Sequence, residues 1–126
     1  VMRFFLAITI FLISGTAFAC SCSNLITKRD FEKADYVYIG RVMSAALTPD
    51  EVVESQLQVK EVLKGKPDQY VFTSAASVNG MCEAVVFVGS NYIVFGRYGE
   101  KPLLTACSAT QDFYSREQID VFSNGS

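Results

Sequence analysis

The stretch DYVYIGRVM at residues 35–43 decides how the chain is expected to fold. Its side chains alternate and are mostly β-branched or aromatic, which is typical of a β-strand. Similar patterns predict further strands at residues 52–63, 69–73, 91–97 and 103–107, and the apolar run 84–88 is a candidate for another. Five main strands with little helix in one small domain predict a closed barrel, in which no sheet edge stays exposed.

Two short helices are predicted beside these strands. Residues 27–34 read TKRDFEKA, with Thr27 as N-cap, and residues 115–122 read SREQIDVF, with Ser115 as N-cap. The sequence KGKP at residues 64–67 predicts a turn after the second strand. The predicted fold is therefore mainly β, with the helices at the sides of the barrel.

Composition limits the functions that the chain can perform. Its 126 residues suit one domain, and ten Phe and six Tyr supply a core. The net charge of −2, without a basic cluster, argues against a nucleic-acid partner. The chain has no histidine, which removes the commonest general base and the commonest metal ligand. No serine lies in a hydrolase motif, so we expect no enzyme, although a Ser/Lys pair assembled by folding stays open.

The first nineteen residues have the pattern of a signal peptide. Arg3 precedes the apolar run FFLAITIFLI, which is too short for the roughly 20 residues that span a bilayer. Ala17-Phe18-Ala19 fits a cleavage site, so we expect cleavage between Ala19 and Cys20. The mature domain would be residues 20–126, exported to the periplasm or the medium. An uncleaved anchor and a lipid attached to Cys20 remain alternatives. Once the signal peptide is cleaved, the mature protein would reach a membrane only through a lipid on Cys20.

The four cysteines lie in the exported part, at Cys20, Cys22, Cys82 and Cys107. An even number in a small exported domain predicts disulfides, and no cofactor of the protein's own is expected. A Cys20–Cys22 bond would close a strained ring, which leaves two connectivities open. A four-cysteine zinc site and a C-x-C redox centre fit the spacing less well. Both bridges would fix the new N-terminus, which suggests that the terminus itself is functional, because chain ends usually fray.

The order of these segments resembles a known family. CSC at residues 20–22 is followed by ADYVYIGRV at 34–42, VKEVLKGKPDQYVFTSA at 59–75, Met81-Cys82, and NYIVFGRYGEKPLLTACSATQDF at 91–113. This pattern is similar to the N-terminal, netrin-like domain of the tissue inhibitors of metalloproteinases. The resemblance implies a five-stranded OB-like barrel with bonds Cys20–Cys82 and Cys22–Cys107. Two departures are the missing cysteines of a third disulfide and Glu83, where the inhibitors usually have glycine.

The resemblance also implies a function. The α-amine and carbonyl oxygen of Cys20 would together chelate the catalytic zinc of a metalloendopeptidase, while Ser21 enters its specificity pocket. The remaining contact residues would be Cys22, Asn79, Gly80, Met81, Cys82 and Glu83. The expected protein is thus a monomeric, secreted inhibitor. The alternative is a netrin-like protein-binding module of the cell envelope that inhibits no protease. A lipid on Cys20 would be compatible with this alternative.

Overall fold

A computed structural model describes residues 25–75 and 84–123. In chain order, the elements within these ranges are α1 (Lys28–Lys33), β1 (Tyr36–Leu47), β2 (Val52–Lys64), β3 (Val71–Ala75), β4 (Asn91–Gly96), β5 (Gln111–Asp112) and α2 (Glu117–Ser123). The predicted signal peptide lies outside the described residues. None of the helices in the described ranges has the length and hydropathy needed to cross a membrane.

The strands form one five-stranded antiparallel sheet in the order β3-β2-β1-β4-β5. Strand β1 is central, since it pairs with β2 from Val37 to Leu47 and with β4 from Tyr36 to Arg41. The prediction of a mainly β fold with five strands and two short helices is confirmed. Strands β1, β2 and β4 begin within one residue of their predicted starts, because their alternating patterns are the strongest in the chain.

Both faces of the sheet are buried at its centre. On one face Tyr36, Tyr38 and Tyr92 pack with Phe72 and Leu104. On the other face lies a second cluster, made of Ile26, Ala34, Val37, Ile93 and Ile119, which includes residues from the two helical regions. Because successive strand residues point to opposite faces, β1 contributes to both clusters and is buried without interruption from Tyr36 to Gly40.

A capping box begins helix α1. The Asp30 amide donates to the Thr27 hydroxyl at 3.2 Å, and the Thr27 amide donates to the Asp30 carboxylate at 2.9 Å. These bonds satisfy amides that would otherwise lack partners at a helix start, so the predicted N-cap is confirmed. At the other end of the helix, Lys64 on β2 donates to the Phe31 carbonyl at 2.7 Å and thus ties α1 to the sheet.

Glycine is required at two places where the backbone meets a neighbour. Gly65 follows β2 with φ at +62°, and a Cβ there would overlap the carbonyl oxygen of Asp35. Gly96 lies opposite Tyr36 in the β1–β4 ladder, and a Cβ there would overlap the Tyr36 ring. The buried ring of Tyr36 therefore occupies the space where any other residue at position 96 would place its side chain.

Three predictions of local structure are corrected. The run 84–88 is not a strand, although Ala84 and Val86 point inward while Val85 and Phe87 are exposed. The fifth strand is not residues 103–107 but Gln111–Asp112, since residues 105–108 form a turn closed by side-chain hydrogen bonds. Strand β3 is Val71–Ala75 rather than residues 69–73, because its ladder with β2 begins opposite Gln56.

The predicted barrel closure is not shown. Strands β3 and β5 are the two edges of the sheet. One parallel bridge joins Thr73 of β3 to Leu103, with the Thr73 amide donating to Pro102 at 2.9 Å and the Leu104 amide donating to Thr73 at 2.8 Å. Pro102 has no amide hydrogen to donate, and the chain turns soon after Leu104. Thr105 also takes part in an isolated bridge, and between described residues the pairing with β3 is the bridge from Thr73 to Leu103.

Candidate functional site

All of the predicted protease-contact residues lie outside the described part of the chain. These are Cys20, Ser21, Cys22, Asn79, Gly80, Met81, Cys82 and Glu83, together with the cleavage residue Ala19. The structure does describe Cys107 and the residues that adjoin the other segments, namely Leu25 after the N-terminal segment and Ala84 after Glu83. The candidate site is therefore built from these flanking residues.

Cys107 lies in a turn held by side-chain hydrogen bonds. It is disulfide-bonded, and its amide donates to the Thr105 hydroxyl at 3.1 Å. The Thr105 amide donates to the Ser108 hydroxyl at 2.9 Å, and that hydroxyl donates to the Thr110 carbonyl at 2.7 Å. Short Thr and Ser side chains favour such local bonds over a strand ladder. The turn thus presents Cys107 at the surface on a fixed backbone.

Beside this turn lies a groove of about 420 Å³, called the Cys107 groove below. Its described lining comes from three segments, namely Ala84, Val85 and Phe87, then Leu104, Thr105 and Ala106, then Gln111, Asp112 and Tyr114. The first segment follows the predicted contact loop around Cys82, and the second leads into Cys107. Two chain regions predicted to anchor the N-terminus therefore meet at one surface feature.

The Cys107 groove exposes aromatic and aliphatic side chains. Val85 is 54% exposed, Phe87 59% and Tyr114 80%. The neighbouring residues Ala84 and Val86 pack against the core cluster, so the alternation along this extended segment turns Val85 and Phe87 outward. Exposed large apolar side chains that line one depression are typical of a surface that binds a partner.

Gln118 of α2 fixes the loop that carries Tyr114. Its side-chain oxygen accepts from the amides of Tyr114 at 2.8 Å and Ser115 at 3.2 Å. Its side-chain nitrogen donates to the Asp112 carbonyl at 2.8 Å. One side chain thus spans the loop between β5 and α2 with three hydrogen bonds. Tyr114 is exposed on a loop whose backbone is held in place, which lowers the ordering cost of contacting a partner.

Asp112 is positioned by the sheet. It lies opposite Tyr92 in the β4–β5 ladder. The Tyr92 side chain is buried, and its hydroxyl accepts from the Phe87 amide at 2.9 Å. Burial raises the pKa of Tyr92, and the Asp112 carboxylate nearby adds to that rise while the Phe87 amide opposes it. Tyr92 therefore connects the groove's first segment to the strand that carries its carboxylate.

A second groove, of about 290 Å³, continues from Tyr114 toward the start of the described chain. It shares Gln111 and Tyr114 with the Cys107 groove and is also lined by Leu25, which is 79% exposed, and by Val121. Leu25 lies three residues after Cys22. The surface next to Tyr114 thus adjoins all three cysteine-bearing regions of the sequence.

This surface is lined mainly by apolar and neutral polar side chains. In the ranges that the structure covers, no three His, Cys, Asp or Glu side chains group closely enough to hold a metal ion. Sequence reasoning missed Gln111, Asp112, Tyr114 and Gln118. The available signal was the pair Phe113-Tyr114 after a polar TQD, since adjacent aromatics next to a short strand cannot both face the core. No protein-family model matches the chain, and no curated protein matches it.

Proposed function

We propose that the protein is an exported inhibitor of zinc metalloendopeptidases. In this proposal, cleavage after Ala19 frees the amine of Cys20, which chelates the catalytic zinc of the protease together with its own carbonyl oxygen. The zinc belongs to the protease, where a catalytic site keeps one coordination position open for water. Ser21 occupies the specificity pocket, and Cys22 and residues 79–83 form the rest of the contact.

One observation carries the proposal: the described neighbours of all the cysteines adjoin one surface. Ala84 and Ala106, which line the Cys107 groove, lie close in sequence to Cys82 and Cys107. Leu25 lines the adjoining groove and follows Cys22. Bonds Cys20–Cys82 and Cys22–Cys107 require such an arrangement, because bonded cysteines have Cα atoms about 4.4–6.8 Å apart. The pairing Cys20–Cys107 with Cys22–Cys82 would require the same arrangement, and the resemblance to the inhibitor family is what favours the proposed pairing over it.

The finer fold in this proposal is an OB-like barrel. The segment that bonds to Thr73 of β3 at Leu103 continues into β5, which pairs with β4 at the other side of the sheet. One stretch of chain thereby contacts both edge regions, and the core residue Leu104 lies on it. These contacts support a barrel whose last strand is interrupted by the Cys107 turn.

The chemistry of the first residue explains the C-x-C spacing. A zinc-binding amine must be unprotonated, and an ordinary α-amine with a pKa of about 7.7–8.0 has a substantial neutral fraction near neutral pH. With the Cys20 sulfur in one bond and the Cys22 sulfur in another, the residue between them would be held on both sides. Such rigidity reduces the entropy lost on binding.

The decisive experiment adds one alanine before Cys20. Native protein and the extended variant are titrated against a panel of zinc metalloendopeptidases with a fluorogenic peptide substrate. We expect the native form to inhibit and the extension to abolish inhibition, because its amine is displaced from the zinc. A variant with one alanine added after Ser126 is the matched control and should inhibit normally. Equal inhibition by the N-terminally extended form would disprove chelation.

Inhibition should also depend on pH in one direction. The inhibition constant should decrease, meaning tighter inhibition, as pH rises through about 7.7–8.0, and it should increase below that range, because a protonated amine cannot bind zinc. Inhibition is measured from about pH 6 to 8.5, a window that brackets the ordinary amine pKa, after correction for the protease alone. A flat profile would contradict the proposal.

A protein-binding module without zinc chelation is the second candidate function. It is favoured by the exposed side chains of Phe87, Tyr114 and Leu25, which need no zinc to contact a partner. If the native protein and the form with an added N-terminal alanine capture a partner equally well, this alternative is supported. Intact mass of the exported protein would show whether Cys20 carries a lipid, which would block its amine.

A further inference from the structure

The Cys107 groove combines one carboxylate with two exposed aromatic rings. Asp112, Phe87 and Tyr114 all line it, and the rest of its described lining is neutral. Among the described residues, the basic side chains Arg116 and Lys101 pair elsewhere, with Glu61 at 2.6 Å and Glu54 at 2.8 Å. The groove thus has a negative charge that none of its described lining residues neutralises.

We infer that the Cys107 groove binds an arginine side chain of the protein partner, with Asp112 as its counter-ion and Tyr114 and Phe87 as its aromatic walls. A guanidinium group is planar, always charged and weakly hydrated, so it can stack on aromatic rings while it bonds to a carboxylate. This inference rests on the proposed function, since it specifies what the inhibited protease presents beside its active-site cleft.

The groove is prepared for such a ligand in the free protein. Gln118 holds the backbone on both sides of Tyr114, and the β4–β5 ladder holds Asp112 opposite Tyr92. The backbone at Phe87 is held by the bond from its amide to the Tyr92 hydroxyl. Because the backbone at these residues is held from separate elements, binding has to order side chains and not the loops, which reduces its entropy cost.

The test uses a probe that needs no protease. The exported chain, labelled with ¹⁵N, is titrated with N-acetyl-arginine amide and with N-acetyl-citrulline amide, whose urea group has nearly the same shape without charge. We expect arginine to bind roughly fivefold tighter than citrulline, with the largest amide shifts at Phe87, Asp112 and Tyr114. Equal affinity for the two probes would overturn the inference.

Two groove variants and one control variant locate the effect. Asp112→Asn should remove the preference for arginine, whereas Asp50→Asn, which removes the same charge from the loop between β1 and β2, should keep it. Tyr114→Leu keeps an apolar side chain without the ring and should weaken arginine binding. If Asp112→Asn behaves like Asp50→Asn, or if the shifts spread over all acidic residues, the groove is not an arginine site.

The outcomes for groove and function can be separated. Arginine selectivity without inhibition of any metalloendopeptidase would leave the groove chemistry in place and refute the proposed function. Inhibition that Asp112→Asn leaves unchanged at every salt concentration would keep the function and refute the arginine site. If both are right, Asp112→Asn should weaken inhibition roughly fivefold at low salt and less at high salt, since salt screens exposed charges.

Discussion

The centre of the sheet and the cysteine end of the molecule are stabilised in different ways. At the centre, β1 lies between two long ladders and buries both faces from Tyr36 to Gly40. At the cysteine end, β5 has two residues, and one bridge at Leu103 links this end to β3. Side-chain hydrogen bonds from Ser108 and Gln118, together with the disulfide at Cys107, hold this end in place.

This difference teaches how a small domain can be both stable and ready to bind. Residues in a ladder with two covered faces have no side chain left for a partner. The turn and loops around Cys107 instead leave the side chains of Tyr114 and Phe87 exposed. Regions with few regular backbone bonds open at low free energy unless something else restrains them. Polar side chains and a covalent bond supply that restraint at the cysteine end.

The largest expected effect comes from Cys107→Ser. Every other cysteine is distant in sequence, so the bridge closes a long loop, and its loss should lower the free energy of unfolding by about 4 kcal/mol. Urea unfolding measures this loss, and the native protein under a reducing agent should show a still lower midpoint, because reduction also opens the second proposed bridge. Amides at residues 84–88 and 103–115 should then exchange by local opening below the free energy of global unfolding, while amides near Tyr38 and Ile93 should exchange only through the weakened global unfolding. Equal opening free energies in the two regions would contradict the distinction between them.

Gly96→Ala tests the other region. The added methyl group would overlap the ring of Tyr36, which is buried and cannot swing into solvent. Overpacking of this kind costs about 3 kcal/mol, so the urea midpoint should fall strongly. Gly99→Ala is the matched control, with φ at +84° and no described atom within 4 Å of the new Cβ. Its left-handed backbone alone should cost about 1 kcal/mol, and equal effects of the two variants would show that crowding is absent.

The sequence predicts the centre of the sheet better than the cysteine end. The alternating, β-branched pattern around Tyr36 predicted β1 correctly, because ladder and burial both follow from period two. The apolar run ending at Cys107 suggested a strand as well, but Thr105 and Ser108 bond to nearby backbone groups and turn the chain. Pattern reasoning does not include such competition between side-chain and ladder bonds.

The candidate site was predictable only in part, for a similar reason. Sequence reasoning placed it near the cysteines, and the role of Cys20, Ser21 and residues 79–83 stays a prediction because they lie outside the described residues. The exposure of Tyr114 was not predictable, since it depends on where β5 ends and on the three bonds that Gln118 makes across the loop. Those bonds join residues whose spacing carries no periodic signal.

Gln118→Ala has the smallest expected effect on stability and tests how the groove is held. It removes the three hydrogen bonds that fix the backbone around Tyr114, and a partly exposed group of this kind should cost about 1–2 kcal/mol. Gln118→Glu is the matched control, because a carboxylate can still accept from the Tyr114 and Ser115 amides but cannot donate to Asp112. Amide exchange at Tyr114 should therefore speed up markedly in the alanine variant and only slightly in the glutamate variant, with β1 amides unchanged in both. If the alanine variant keeps native exchange at Tyr114, the loop is ordered by its contacts with the sheet, and the cysteine end is more like the centre than the hydrogen bonds indicate.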